Sequence, residues 1–286
     1  MRTRSILCPV DFSAVSRQAY DHALVWAART GARLTLLHAV DPLLAEAASA
    51  THVAADDLRD THAELRAFAG RPGVDLPAWA PAAAIAVTVG EPWREIVTVA
   101  AVHEADLIVM GTQGLGGVRL LAFGSTAEHV MRATSVPVLA VPPAAAQRFL
   151  IEPDGPHVEV GTVLAAIDFD AGSNALPATG AAIADELART TARAALDSLA
   201  VRLDTLYPID TAVVTGRSAE ALTALAAIRG AGLLILGTAS ALSSHRPGST
   251  ARRLLSLTEI PVLAVPPVPA HSADRQPLAA GRSEVW

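Results

Sequence analysis

The sequence predicts an α/β protein with two doubly wound parallel sheets of the Rossmann-like type, the second of them truncated. Three observations predict this fold class: short apolar runs alternate with helical patterns, several segments of the first half recur in the second, and a glycine-rich run follows a strand-like stretch. The chain has 286 residues, 51% of them hydrophobic, which is enough for two domains.

The first half alternates the two kinds of element in order along the chain. Its apolar runs are typical of buried parallel strands, and the patterns between them have helical periodicity. The predicted strands are 5–10, 33–40, 85–89, 106–110 and 138–141, and the predicted helices are 14–30, 56–69, 92–104 and 126–133. Ligands of such sheets bind beyond the carboxyl ends of the strands, at the point where the strand order reverses.

The second half is a shorter copy of the first. Residues 89–96, 107–112 and 136–143 recur as 215–222, 233–238 and 260–267. The offset between copies is 126 residues at Gly111/Gly237 but 157 at Asp11/Asp168, so the second copy lacks about 31 residues. Its first strand is predicted at 162–167 and helical sequence at 174–206, with no counterpart of the second strand between them.

These boundaries predict three segments. They are a first domain at 1–145, a second, degenerate domain at 161–267 and a disordered tail at 268–286, with a Pro/Gly-containing link at 152–156 before the second domain. The last strand of each copy, at 138–141 and 262–265, is apolar and is expected at a sheet edge. Because an exposed apolar edge invites pairing, we expect the two strands to pair antiparallel, as an intramolecular pseudo-dimer.

A glycine run marks a candidate nucleotide site. Gly111 ends a predicted strand, Gly114 follows two residues later, and nine residues separate it from Gly124-Ser125-Thr126 at a predicted helix start. Glycines let the backbone turn and approach a ligand closely. A helix start offers unpaired N–H groups and the positive end of the helix dipole, which suit a phosphate.

Composition excludes several classes of function. The net charge of −6 argues against nucleic acid or an anionic membrane as the main partner. All 22 basic residues are arginines, which excludes Schiff-base chemistry and a P-loop lysine. The single cysteine, Cys8, falls in a strand and cannot form a disulfide within the chain, which indicates a reducing compartment. No apolar stretch is long enough to span a membrane, and no histidine spacing predicts a metal site.

Three motifs together resemble the universal stress protein family. They are Pro9-Val-Asp-Phe-Ser13 at the end of strand one, Leu-Leu-His-Ala-Val40 in strand two, and the spacing G-x2-G-x9-G-[S/T] of the glycine run. The resemblance implies ATP binding in the first domain only, with Mg²⁺ as an open addition, in a cytoplasmic, stress-linked bacterial protein that acts through an unidentified protein partner. Members dimerise through the last strand, so a homodimer of this chain is a further expectation.

The resemblance also implies roles for individual residues. Asp11 would bond the ribose hydroxyls, and the backbone of Ala39 or Val40 would read the adenine edge. The remaining nucleotide-binding residues follow strand one or lie along the glycine run, where they would line the ribose and the phosphates: Pro9, Val10, Met110, Gly111, Gly114, Gly124, Ser125 and Thr126. The second copy departs from the pattern, because Ser240 stands where a glycine is expected and the loop before Gly248 is shorter.

Several alternatives stay open on the sequence alone. Asp11 or Ser13 also suits the N-cap of the helix at 14–30, and His38 also suits a packed strand position. Arg119, inside the glycine loop, suits either a phosphate contact or a solvated loop. No catalytic residue is identified, so a non-enzymatic, nucleotide-dependent regulator is the leading prediction. A nucleotide-free interaction scaffold and a slow ATP hydrolase are the alternatives.

Overall fold

The computed structural model describes residues 3–42, 54–70, 76–114, 124–145, 149–159, 161–166, 210, 212, 218–237 and 249–266. Within them lie ten strands: β1 Ser5–Pro9, β2 Arg33–Val40, β3 Ala83–Val89, β4 Leu107–Gly111, β5 Val138–Val141, β6 Phe149–Glu152, β7 Gly155–Val158, β8 Thr162–Ala166, β9 Ala231–Gly237 and β10 Val262–Val265. The same residues contain six helices: α1 Ala14–Thr30, α2 Ala54–Gly70, α3 Pro92–Val102, α4 Ser125–Ala133, α5 Ser218–Ile228 and α6 Ser249–Leu257.

Eight of these strands form one sheet in the order β3-β2-β1-β4-β5-β10-β9-β8. Neighbouring strands run parallel except at the centre, where β5 and β10 pair antiparallel. The predicted α/β class with a mostly parallel sheet is confirmed. The predicted antiparallel pairing of the two final strands is also confirmed, with Leu139 opposite Leu263.

Helices cover both faces of the sheet. On one face α1 and α2 pack side chains such as Tyr20, Leu24 and Leu65 against β1, β2 and β4. On the other face α3 and α4 of the first half and α5 and α6 of the second half enclose a single core, which includes Ile96, Val130 and Leu254. Burial of apolar side chains on both faces explains why the strands are near-continuous hydrophobic runs.

One element differs from the sequence prediction. Residues 152–156 were expected to be a simple link, but they form the turn of a hairpin between β6 and β7. The hairpin packs on α1, because Phe149 is buried with its ring 4.5 Å from that of His22 and 6.0 Å from that of Trp26. The Trp79 indole also donates to the Glu152 carbonyl, at 2.8 Å. No local sequence pattern predicts these aromatic contacts, because the residues that make them are distant in the sequence.

Several predictions fall on residues outside the described ranges. They are the helical sequence at 174–206, the tail at 268–286, and the residues Asp168, Ser240, Gly248 and Arg119. Among the described helices, none has the length and apolarity needed to cross a membrane.

Candidate functional site

The candidate site lies at the carboxyl edge of the first half of the sheet. There β1 lies between β2 and β4. The chain passes from β1 to β2 on one side, and it later returns to the other side of β1 to form β4. This is the switch point at which open α/β sheets bind ligands. Two segments meet at this point: the turn after β1, which contains Asp11, and the segment after β4, which contains Gly114. They are in contact, since a Cβ added to Gly114 would overlap Asp11 Oδ2.

Asp11 is held by the turn that follows β1. Its Oδ1 accepts a hydrogen bond from the Ser13 backbone N–H at 3.1 Å, which forms an Asx turn. Ser13 in turn is the N-cap of α1, because its hydroxyl accepts from the Ser16 N–H at 3.1 Å. The N-cap alternative is therefore settled in favour of Ser13, and the Asp11 carboxylate is half-buried beside it.

The glycines of the run have different packing roles. A Cβ on Gly111 would lie 2.9 Å from Val15 Cγ1 and 3.3 Å from the Val15 carbonyl carbon, so this glycine lets the start of α1 approach β4. A Cβ on Gly114 would overlap Asp11 Oδ2. Gly111 thus serves helix packing, whereas Gly114 makes room for the carboxylate.

Gly124 closes the glycine loop at its far end. Its N–H donates to the Thr112 carbonyl at 2.7 Å, and a Cβ there would lie 3.0 Å from the same oxygen. Thr112 and Gly124 are therefore joined by a hydrogen bond that requires close backbone approach. This bond brings the start of α4 next to the end of β4.

The start of α4 has the properties of an anion site. Gly124 is its N-cap and supplies no side chain to the first N–H groups. Ser125 is exposed and Thr126 is half-buried, so hydroxyl groups accompany those donors at the surface. The positive end of the helix dipole adds to the attraction of a phosphate.

Near the end of β2, which the sequence predicts to read the adenine, the backbone carbonyl of Ala39 does not face β3. The Val40 carbonyl accepts from the Gly90 N–H at 3.0 Å, and the Leu37 carbonyl accepts from Val10 N–H at 2.8 Å. Because successive peptide groups of a strand point to opposite sides, the Ala39 carbonyl faces the β1 side, where β1 has already ended. The Ala39 carbonyl, unlike that of Val40, therefore faces the switch point.

The other predicted site residues contribute backbone only. Pro9, Val10 and Met110 are buried, and the side chains of Val10 and Met110 lie in the two hydrophobic cores. Any contact of these residues with a ligand would therefore come from their carbonyl groups or from the N–H groups of Val10 and Met110, since proline has no N–H.

Sequence reasoning assigned no role at the site to three residues: Phe12, Thr112 and His129. Phe12 has a φ of 63°, and its ring lies 4.6 Å from that of His38. Thr112 is 1% exposed, and among the described residues its hydroxyl has no hydrogen-bond partner. His129 on α4 donates from Nδ1 to the Ser125 carbonyl at 2.7 Å. The positive φ and these contacts depend on folding, so only the histidine residues themselves were visible as candidates.

Two buried titratable groups, Cys8 and His22, lie in the interior of the first domain and not in the site. Burial raises the pKa of the Cys8 thiol well above its usual range, with the nearby Asp21 carboxylate as a smaller cause, so this cysteine is a core residue and not a nucleophile. Burial lowers the pKa of His22 to about 4, against a smaller opposing effect of its bond to the Gln18 carbonyl. Among the described residues, no group of three or more His, Cys, Asp or Glu side chains is placed to hold a metal ion.

Comparison with known proteins adds three findings. A profile of the universal stress protein family matches residues 2–142. A universal stress protein of Thermus aquaticus is 33% identical over 146 residues, which are 48% of this chain and 98% of that protein. A universal stress protein from Archaeoglobus fulgidus is similar in structure over 92% of this chain and 96% of its own, with a TM-score of 0.56 and 18% identity, which shows the fold.

A further solved structure is that of a universal stress protein in complex with cAMP. It is 26% identical to this chain with a TM-score of 0.36, and it covers 50% of this chain and 98% of its own. The similarities to the Thermus aquaticus protein and to the cAMP complex are each confined to about half of this chain.

Proposed function

Because the chain belongs to the universal stress protein family, we propose that its first domain, residues 1–145, binds ATP at the carboxyl edge of the sheet and acts as a non-enzymatic, nucleotide-dependent regulator. The observation that carries the proposal is the convergence of the Asp11 carboxylate, the Gly114 backbone and the start of α4 at one switch point.

The residues present fit an adenosine phosphate. Asp11 would accept hydrogen bonds from the ribose hydroxyls, and the peptide group of Ala39 would bond the edge of the base. The N–H groups at the start of α4, with the Ser125 and Thr126 hydroxyls, would hold the phosphates. The N–H and hydroxyl donors at α4 match the negatively charged phosphates, and the Asp11 carboxylate matches the ribose hydroxyl donors.

Burial and packing restrict how the ligand would lie. The side chains of Val10 and Met110 are in the cores, so the base and the sugar would pack on backbone at the strand ends. Gly114 has no Cβ, and this leaves the approach to Asp11 open. ATP, with or without Mg²⁺, would therefore bind across the strand ends with its phosphates towards α4.

The second half of the chain has a different part in the proposal. It supplies β10, which pairs antiparallel with β5 as a second copy of the first domain would across a two-fold axis. We propose that one chain is thereby equivalent to a dimer of single domains, that residues 161–267 form the degenerate second domain, and that only the first domain holds nucleotide. A soluble, cytoplasmic setting and an unidentified protein partner belong to the same proposal.

The direct test is denaturing extraction of the purified full chain followed by chromatography for adenine nucleotides, with calorimetric titration of the stripped protein with ATP. Binding of one ATP for each chain is expected. Extracts without nucleotide together with no heat of binding would support the scaffold alternative. Incubation with labelled ATP tests the hydrolase alternative, for which release of labelled phosphate is the positive result.

The matched pair of variants is Asp11→Ala and Asp106→Ala. Asp11→Ala removes one or two charge-assisted hydrogen bonds worth roughly 1.5–3 kcal/mol each, so ATP should bind more than about tenfold more weakly. Asp106 lies at the opposite end of the sheet, where its Oδ2 accepts from the backbone N–H groups of Arg4 and Ser5, and its replacement should leave ATP affinity unchanged. A loss of less than about threefold with Asp11→Ala would contradict the ribose assignment.

A further inference from the structure

His38 lies on β2 one residue before Ala39, and its side chain joins the end of β1 to the turn behind it. We propose that His38 is a positioning residue: it holds Phe12 in a left-handed backbone conformation and so fixes the Asp11 carboxylate against the ribose of a bound nucleotide. The inference rests on the proposed function. By holding Asp11 in place, His38 sets the selectivity of the site for a ribose with free hydroxyl groups.

The backbone of Phe12 requires such support. Its φ of 63° lies in the left-handed region, where the Cβ of a bulky L-residue crowds the backbone. Phe12 follows Asp11 directly, so its conformation decides the direction in which the chain leaves the carboxylate. Strained conformations of this kind persist only where the surroundings over-determine them, and they cluster at functional sites.

The surroundings of Phe12 supply that determination. Its ring packs on the His38 ring with centroids 4.6 Å apart at 42°, and meets the edge of Phe68 at 5.6 Å and 78°. The His38 ring also donates from Nδ1 to the Val10 carbonyl at 2.8 Å. One imidazole therefore touches the residues on both sides of Asp11 in the sequence.

The carboxylate of Asp11 has little freedom between these contacts. Its Oδ1 is held by the Ser13 N–H, and its Oδ2 borders the position of the missing Gly114 side chain. The Asx turn forms only if the peptide groups of Phe12 and Ser13 keep their orientation. Without the imidazole, Phe12 would relax towards a common conformation, and the carboxylate would turn away from the ligand.

This arrangement separates His38 from residues that only stabilise the fold. A residue that merely stabilises the domain affects all nucleotides alike, because each of them binds the same folded state. A residue that aims Asp11 affects only nucleotides whose ribose offers hydroxyl groups to that carboxylate. The ratio of affinities for ATP and for 2′,3′-dideoxy-ATP therefore reports the positioning role.

The experiment measures this ratio by calorimetric titration of the full chain and of His38→Leu, a replacement of similar volume without a hydrogen-bond donor. The parent is expected to prefer ATP by at least about tenfold. His38→Leu should lower ATP affinity so that the ratio falls below about three, while dideoxy-ATP affinity stays within about threefold of the parent value. Thermal melts check that each variant is folded.

Three further variants complete the experiment. In His38→Leu/Phe12→Gly, glycine adopts the left-handed conformation without strain, so the ratio should recover by at least about threefold. His22→Leu is the matched control, because His22 is a buried histidine of the same domain that packs on Phe149 away from this turn, and it should keep the parent ratio. If His38→Leu does not fold, His38→Phe, which keeps a ring against Phe12, should still lower the ratio by at least about threefold.

The outcomes distinguish the inference from the function on which it rests. A parent chain that binds neither nucleotide contradicts the proposed function. A parent that prefers ATP while folded His38 variants keep its ratio, or lose both affinities equally, overturns the positioning role alone. Failure of Phe12→Gly to restore any preference overturns the link through the left-handed turn.

Discussion

The Asp11 carboxylate depends on a residue that has no side chain. Gly114 is exposed, so a larger residue there does not disturb the core, but its Cβ would overlap Asp11 Oδ2. The two positions are more than one hundred residues apart in the sequence, yet a change at either one acts on the same carboxylate. Their effects on nucleotide affinity should therefore be coupled.

Gly114→Val is expected to abolish ATP binding and leave the fold intact. The added side chain would displace the Asp11 carboxylate and occupy space near the phosphates. Calorimetric titration of the variant and of the parent with ATP measures the loss, and a thermal melt of each checks the fold. Equal ATP affinity of Gly114→Val and the parent would refute the site.

His22 makes stability dependent on pH. Burial lowers its pKa to about 4 from 6.5, so the unfolded chain binds more protons between these values, and the folded state is destabilised as the pH falls through this range. The stability that depends on neutral His22 is fully present above pH 6.5, and its loss at low pH lowers the free energy of unfolding by up to roughly 3 kcal/mol. Urea unfolding of the parent and of His22→Leu from pH 4 to 7 should show a steeper fall for the parent. Parallel curves would contradict the shift.

At the scale of elements, the β6–β7 hairpin is held to α1 by a few aromatic contacts. Phe149 is 4% exposed and packs on His22 and Trp26. Its replacement leaves a cavity between the hairpin and the helix. This contact decides whether the segment between the two halves of the chain is ordered on the first half or merely connects it to the second.

Phe149→Ala is expected to lower the free energy of unfolding by about 3–5 kcal/mol, since both apolar transfer and cavity formation oppose the change. His157→Ala is the control in the same hairpin, because that side chain is 53% exposed. Urea unfolding measures both variants. A loss below about 1 kcal/mol for Phe149→Ala would show that the hairpin contributes little to stability.

At the scale of the whole molecule, the two halves share one sheet through β5 and β10. Val262, Leu263 and Ala264 pair with Ala140, Leu139 and Val138, so the register is symmetric about the Leu139–Leu263 pair. The pairing covers two apolar edges that would otherwise invite aggregation. Because both strands belong to one chain, the contact forms at high effective concentration.

Leu139→Cys/Leu263→Cys should form a disulfide within one chain on oxidation, because directly opposed strand residues have Cα separations that a disulfide can span. Cys8 is buried with a raised pKa and should not compete. Non-reducing electrophoresis and mass spectrometry should find the cross-link in monomers, and the single variants should show none. Cross-linked dimers in place of the internal bridge would place the contact between molecules.

Local patterns in the sequence determined most of the elements and their order. In the first half of the chain, the strands β1 to β5 and the helices α1 to α4 begin and end within two residues of the predicted bounds, because apolar periodicity and glycine or proline boundaries act over short distances. The internal repeat and the apolar last strands predicted the central antiparallel pair. The glycine spacing predicted where β4 gives way to α4, although the nucleotide roles of its residues remain a proposal.

Only the tertiary structure decided what each site residue touches. The docking of the hairpin on α1, the packing of Gly111 against Val15, and the left-handed Phe12 on His38 all join parts of the chain that are distant in sequence or depend on a neighbour's side chain. Periodicity places a residue on a face, but contacts follow from how the faces pack. The sequence pattern therefore indicates only that His38 is a strand residue, and its contacts with Val10 and Phe12 are known only from the tertiary structure.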